Sequence, residues 1–132
     1  MENYPYLTNG NRAQCVRVVD GDTAYLFIDT GYHGYRLESF RFLGIDTPEL
    51  NSKDHDEKRA ANMAKEFVQD MLDAEETNWS VHLKEWPLRI ETAKEPDSFG
   101  RWLARIFFKK DGQEVSVNAE LLKEGLATPY EK

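Results

Sequence analysis

Three short stretches carry the residue types that handle charged oxygen chemistry: Asp20-Gly21-Asp22-Thr23, the run from Arg41 to Glu49, and Asp97-Ser98-Phe99-Gly100-Arg101. The middle run, Arg-Phe-Leu-Gly-Ile-Asp-Thr-Pro-Glu, packs one fixed cation, two carboxylates and a hydroxyl into nine residues. A cation, carboxylates and a rigid backbone carbonyl are the parts needed to hold a hard metal ion against a phosphate. Each stretch taken alone also has an ordinary structural reading. Asp-Gly-Asp-Thr suits a hairpin turn, Asp46-Thr47-Pro48 suits a strand exit, and Arg101 suits a surface position.

The elements that must position these residues follow from hydrophobic spacing. Alternation predicts strands over 14–19 and 23–29, the second with Ala24, Leu26 and Ile28 on one face and Tyr25 and Phe27 on the other. After a turn at 31–34, a long third strand is expected over 35–45. His33 falls between two turn glycines and reads as a surface loop residue. Apolar residues at three- and four-residue spacing (Ala60, Met63, Ala64, Phe67, Val68, Met71, Leu72) predict a helix over 56–75, with Asp54 as cap and Glu57 as its reciprocal partner. A fourth strand is expected over 78–84, an irregular charged connection over 85–98 and a fifth strand over 100–109. A short helix over 117–124 closes the pattern, capped by Ser116 or Asn118 and stopped by Gly125. The order predicts an α+β, mainly β, fold: a small five-stranded barrel with one helix after the third strand and another near the C-terminus, closed because closure removes exposed edges. Strict alternation sets Arg41 and Asp46 on opposite faces of one strand. They converge only if the strand breaks, and Gly44 and the Thr47-Pro48 exit are the places for that.

Composition narrows the classes. With 132 residues, 40% hydrophobic and 31% charged, the chain reads as one globular domain over 1–132, with a loosely ordered lead-in over 1–12. A single cysteine, Cys15, excludes an intramolecular disulfide or a thiolate metal cluster. The opening residues lack a basic and apolar leader, and no apolar run approaches the ~20 residues of a membrane span, so a cytoplasmic monomer away from membranes is expected. The net charge of −7 offers no general excess of cations for a polyanion, so any such affinity must be local.

Taken together, the three stretches resemble the staphylococcal nuclease (thermonuclease-like) family. Its signature is Val-x-Asp-Gly-Asp-Thr, then Arg-x-x-x-x-Asp-Thr-Pro-Glu, then Asp-x-x-Gly-Arg, matched here from Val18, Arg41 and Asp97 in the same order. Asn118 and Gly125-Leu126-Ala127 resemble the family's closing segment, so the likeness spans about residues 14 to 127. The resemblance implies an oligonucleotide-binding (OB-fold) barrel and a Ca²⁺-dependent nuclease acting on single-stranded or frayed DNA or RNA. It implies Asp22 and Asp46 as metal ligands with the Thr47 carbonyl, Glu49 as the base that activates water, and Arg41 and Arg101 as phosphate holders, with Asp20 behind the metal. Where the family has a lysine and a tyrosine before Gly-Arg, this chain has Ser98 and Phe99, which implies weaker terminal-phosphate recognition. Phe99 and Tyr130 are the substrate-contact candidates, Tyr130 standing about one position off register from a base-stacking tyrosine. The alternative, suggested by the acidic balance and by Ser98 and Phe99, is an inactive member of the same fold that binds nucleic acid or protein.

Overall fold

The computed structural model describes residues 3–6, 9–72, 86–94 and 102–130. In chain order the elements are β1 (Asn11–Asp20), β2 (Thr23–Gly31), β3 (Gly34–Phe42), β4 (Ile45–Asp46), α1 (His55–Leu72), β5 (Leu88–Lys94), β6 (Trp102–Lys110), β7 (Gln113–Ser116), α2 (Val117–Lys123) and β8 (Thr128–Pro129). The main sheet runs β3-β2-β1-β5-β6-β7, and β3 also pairs with β6, in parallel, so five strands close on themselves. This is the small mixed barrel with two helices that the hydrophobic spacing implies.

The core fills from alternate positions. Ala24, Leu26 and Ile28 of β2, Phe40 and Phe42 of β3, Leu88 and Ile90 of β5, and Ala104 and Ile106 of β6 point inward together. Helix α1 covers one side with Ala61, Ala64, Val68 and Leu72, flanked by half-buried Phe67 and Met71. Five of the seven expected stripe residues face the core; at the N-terminal end Ala61 rather than Ala60 faces the barrel, and Met63 is exposed. Leu121 and Val117 of α2 fill another gap. A smaller cluster of Val16, Phe27 and Trp86 forms outside the barrel wall.

Several expectations need correction. The charged segment expected to be irregular over 85–98 contains β5, whose Leu88 and Ile90 enter the core while Arg89 and Glu91 face outward. Proline and charge at its flanks hide a seven-residue strand that pairs with both β1 and β6. The third strand ends at Phe42 rather than running to 45, because Gly44 turns the chain at φ +81° before β4. Of the two expected caps, Ser116 is the one used, accepting the Ala119 N–H at 3.1 Å, while Asn118 lies inside α2; Gly125 at φ +72° ends the helix as expected. β1 begins at Asn11, ahead of the alternation that starts at Gln14, because Asn11 and Arg12 pair with Ile90 and Arg89. Helix α1 starts one residue earlier than expected. The strand expected over 78–84, the helix's continuation over 73–75, and Ser98, Phe99 and Arg101 lie outside the described residues.

Candidate active site

The β1–β2 turn and the end of β3 meet at one corner of the barrel. Thr23 stands opposite Arg41 across the β2–β3 ladder, and the Phe42 N–H donates to the Asp22 carbonyl at 2.8 Å. These contacts bring Asp22 to the level where β3 breaks. Gly21 lies so close to α1 and to the strand exit that an added Cβ would come 2.7 Å from the Ala64 Cβ and 3.1 Å from the Thr47 side chain. A side chain at this position would push the turn away from Thr47.

The break after Phe42 resolves the facing problem of Arg41 and Asp46. Leu43 donates its N–H to the Ala104 carbonyl at 2.8 Å, and Gly44 then takes the left-handed conformation. The strand leaves this bend with Ile45 buried and Asp46 rotated onto Arg41, whose Nη2 lies 3.1 Å from Asp46 Oδ1 and 4.0 Å from Asp22 Oδ2. One guanidinium thus lies between two carboxylates from separate turns. The Thr47 N–H donates to Asp22 Oδ2 at 3.2 Å, and Thr23 Oγ1 donates to Asp22 Oδ1 at 3.1 Å.

Asp22 is buried, and burial by itself disfavours its charge. Its hydrogen bonds from the Asp20 side chain, the Thr47 N–H and Thr23, with the positive charge of Arg41, outweigh that and hold its carboxyl below the usual range. Asp20 shows the opposite behaviour. Burial and a shared side-chain hydrogen bond with Asp22 push it up to about 6. Asp20 Oδ1 also accepts the Asp22 N–H at 3.0 Å, which places it behind Asp22 and braces the turn.

Glu49 follows Pro48 on the exposed lip of the corner, and its N–H donates to Glu57 Oε1 at 3.4 Å. Glu57 also accepts Ser52 Oγ at 3.1 Å. Instead of closing a reciprocal box with Asp54, the first turn of α1 therefore holds the loop that carries Glu49. Asp54 accepts the Asp56 N–H at 3.0 Å within that first turn. The ring of Tyr130 lies 4.9 Å from the Arg41 Cζ, a cation–π contact, and its N–H donates to the Gly44 carbonyl at 2.9 Å. β8 delivers it there by pairing Thr128 with Asp46 and Pro129 with Ile45. Arg101 and Phe99 are outside the described residues, but β6 begins directly after Arg101, with Trp102 paired to Phe40 and Leu103 to Arg41.

Asn118, which the sequence marks only as part of a closing segment and as a possible cap, turns out to be a positioning residue. Buried in α2, it accepts the Ile106 N–H at 3.1 Å and donates from Nδ2 to the Leu43 carbonyl at 2.8 Å and the Ala104 carbonyl at 3.2 Å. It ties α2 to β6 and to the bend that aims Asp46. The available signal is an asparagine between Val117 and Leu121, both core residues, on a short helix.

The donors at this corner are oxygens, with no thiolate or imidazole among them. Among the described residues no group of three or more His, Cys, Asp or Glu side chains converges as a cation cage. The donor set is thus two carboxylates, Asp22 and Asp46, beside the Thr47 backbone. The Thr47 hydroxyl is buried there with no hydrogen-bond partner among the described residues. Mixed oxygen donors with few carboxylates fit a hard cation that keeps water in its shell.

A family model described as staphylococcal nuclease homologue matches residues 39–132, the stretch that begins just before Arg41 and runs through β8. An uncharacterized protein of Methanocaldococcus jannaschii is 30% identical over 133 residues, an alignment that covers 87% of this chain. The chain spans 57% of the length of that relative. Among the described residues no helix is long and apolar enough to cross a membrane.

Proposed function

This chain belongs to the staphylococcal nuclease homologue family, and on that footing we propose that it hydrolyses phosphodiester bonds of DNA or RNA at the Asp22–Arg41–Asp46 corner. The observation that carries the proposal is the placement of the Arg41 guanidinium between two carboxylates from separate turns, 3.1 and 4.0 Å away. Asp22, Asp46 and the Thr47 carbonyl would hold a hard cation such as Ca²⁺, which supplies charge neutralisation at a bound phosphate.

In this reading Arg41 turns its planar donor fork from Asp46 to two oxygens of the scissile phosphate, an arrangement that a lysine cannot reproduce. Arg101, which the motif assigns to the same group, would be the second phosphate holder. Glu49, on the exposed lip, takes a proton from a water whose oxygen bonds to phosphorus while the bond from phosphorus to the leaving sugar oxygen breaks. Solvent protonates the leaving oxygen. The two guanidinium groups offset the negative charge that grows on the phosphate, and removal of one preorganised donor costs on the order of 10²- to 10³-fold in rate. The substrate proposed is single-stranded or frayed DNA or RNA.

The test is a labelled oligonucleotide incubated with Ca²⁺, with and without chelator, beside Glu49→Gln and Arg41→Ala. Chelator-sensitive cutting that both substitutions abolish is expected; no cutting by the unaltered protein would remove the proposal. A second reading, a member that binds nucleic acid without cutting it, is favoured by the small number of carboxylates that converge here. Salt-dependent oligonucleotide binding without turnover would establish it.

A further inference from the structure

The barrel is closed between β3 and β6 only at Phe40–Trp102, Arg41–Leu103 and Phe42–Ala104. β2 and β3 run on past this seam to their hairpin at 31–34, while β6 starts at Trp102. The inward-facing rows therefore continue beyond the core. The ladders fix their members: Glu38 stands opposite Leu26, Arg36 opposite Ile28, Asn11 opposite Ile90 and Thr92 opposite Ala104. Directly opposed residues share a face, so each of these polar residues points the same way as a buried apolar one.

Those side chains surround a cavity of about 130 Å³ at this end of the barrel. Ile28 and Phe40, both buried, make its floor, Trp102 makes one wall, and Thr30 completes the rim. An apolar cavity of ~150 Å³ holds one benzene ring, so the space here fits a single planar ring. Lys94 packs over the Trp102 ring at 5.6 Å and limits its swing.

The rim selects among rings. Arg36 Nη2 donates to Glu38 Oε1 at 2.5 Å, so this cation and anion already neutralise each other. A charged ligand would have to separate them. Asn11 donates from Nδ2 to the Asp29 carbonyl at 3.1 Å, which fixes its amide and leaves Oδ1 to accept. The Thr30 and Thr92 hydroxyls have no hydrogen-bond partner among the described residues. A hydroxyl turns to donate or accept as its partner requires. An apolar floor, an indole wall and neutral groups of both hydrogen-bonding senses suit an uncharged heterocycle whose edge alternates donors and acceptors. Such an edge displaces the water of a polar mouth without losing its hydrogen bonds.

We propose that the open end of the barrel binds a neutral nucleobase-class ring, a pyrimidine or purine, between Trp102 and the Asn11, Thr30 and Thr92 side chains. The site is separate from the Asp22–Arg41–Asp46 corner, since Phe40 faces the barrel interior and its neighbour Arg41 the opposite side of β3. It stands whether or not that corner cuts.

The test follows the Trp102 indole N–H by ¹H–¹⁵N NMR of the full chain in chelator, its peak identified by its loss in Trp102→Phe. Adenine, uracil and benzene are the probes. The better of the two bases should move the peak with a Kd of about 1 mM or tighter. Benzene, which lacks the polar edge, should bind on the order of tenfold more weakly. Thr92→Phe, at an exposed position, should fill the mouth and weaken base binding by a similar factor while melting as the parent does. Thr92→Val, which keeps the shape and drops the hydroxyl, should weaken a base and leave benzene unchanged. Arg41→Ala should leave the Kd as it is. The dinucleotide UpU separates two sources of the ring: tighter binding than uracil at the same peak identifies a base within a strand, and exclusion of UpU identifies a free base. The proposal is overturned if neither base moves the peak below about 10 mM, or if benzene binds as tightly as both. It is overturned equally if a normally melting Thr92→Phe binds as the parent does, or if Arg41→Ala abolishes binding, which would place the ring at the corner. Where Thr92→Phe melts early, Thr92→Val decides, and parental affinity for the base in that variant refutes the site.

Discussion

Replacement of Asn118 by alanine should unseat the bend that carries Asp46. The side chain makes three hydrogen bonds: from the Ile106 N–H, and to the carbonyls of Leu43 and Ala104. The Ala104 carbonyl retains a second partner, the Leu43 N–H at 2.8 Å. The Ile106 N–H and the Leu43 carbonyl lose theirs. Two newly unpaired groups at roughly 1–3 kcal/mol each put the loss at about 3 kcal/mol or somewhat more. For a domain of this size that lowers Tm by about 10 °C. Ser116→Ala, which removes only the cap of the same helix, should cost about 1 kcal/mol. Denaturant unfolding of the two variants compares them directly. Because the Leu43 carbonyl fixes the approach to Gly44, cleavage by Asn118→Ala should fall further than its folded fraction accounts for. A loss below that of Ser116→Ala would refute the assignment of Asn118 as the buried tie.

Three other outcomes follow from contacts described above. Gly21→Ala should destabilise the protein by about 1–3 kcal/mol, because its Cβ meets the Ala64 Cβ at 2.7 Å and the turn must shift; a wild-type melting curve would contradict the close approach. Glu114 accepts two N–H groups of Arg89 and the Tyr4 hydroxyl, and the Arg89 hydrogen bond, partly offset by burial, holds its carboxyl below the usual range. Its folded pKa is depressed, so its contribution is present above the ordinary carboxylate value and fades as pH falls through the folded one. The stability difference between wild type and Glu114→Gln should accordingly be largest near neutral pH and shrink in acid, as thermal melts across pH will read. Burial pushes the Cys15 thiol up to about 12, so an aromatic disulfide reagent at pH 8 should label it at the rate of unfolding rather than at that of a free thiol.

The fold was legible wherever one face of an element is apolar. β2 announces itself by Ala24, Leu26 and Ile28, and β6 by Ala104 and Ile106, because alternation with burial is the physical cause of both. β5 was not legible: three of its seven residues carry charge, and Arg89 satisfies its own by pairing with Glu91 and Glu114 on the outer surface. β7 and β8 are too short for a period to show. At the corner, the motifs identify Asp22, Arg41 and Asp46, and Gly44 marks the break that joins the last two. The motifs do not disclose the tie from Asn118, or the grip of Glu57 on the Glu49 loop, since both depend on partners 75 and 8 positions away. Tyr130 reaches Arg41 through the β4–β8 pairing, which no local pattern encodes.

That pairing also governs when the corner can be complete. Asp46 is laid down early in synthesis, yet its partner Thr128 and the Tyr130 amide that bonds Gly44 emerge some eighty residues later. A nascent chain can therefore expose Asp22, Arg41 and Asp46 while the two-residue strand that backs them is still inside the ribosome. The strand pairing that backs Asp46 is thus formed by almost the last residues made, and the order of synthesis makes the corner one of the last parts of the barrel to close.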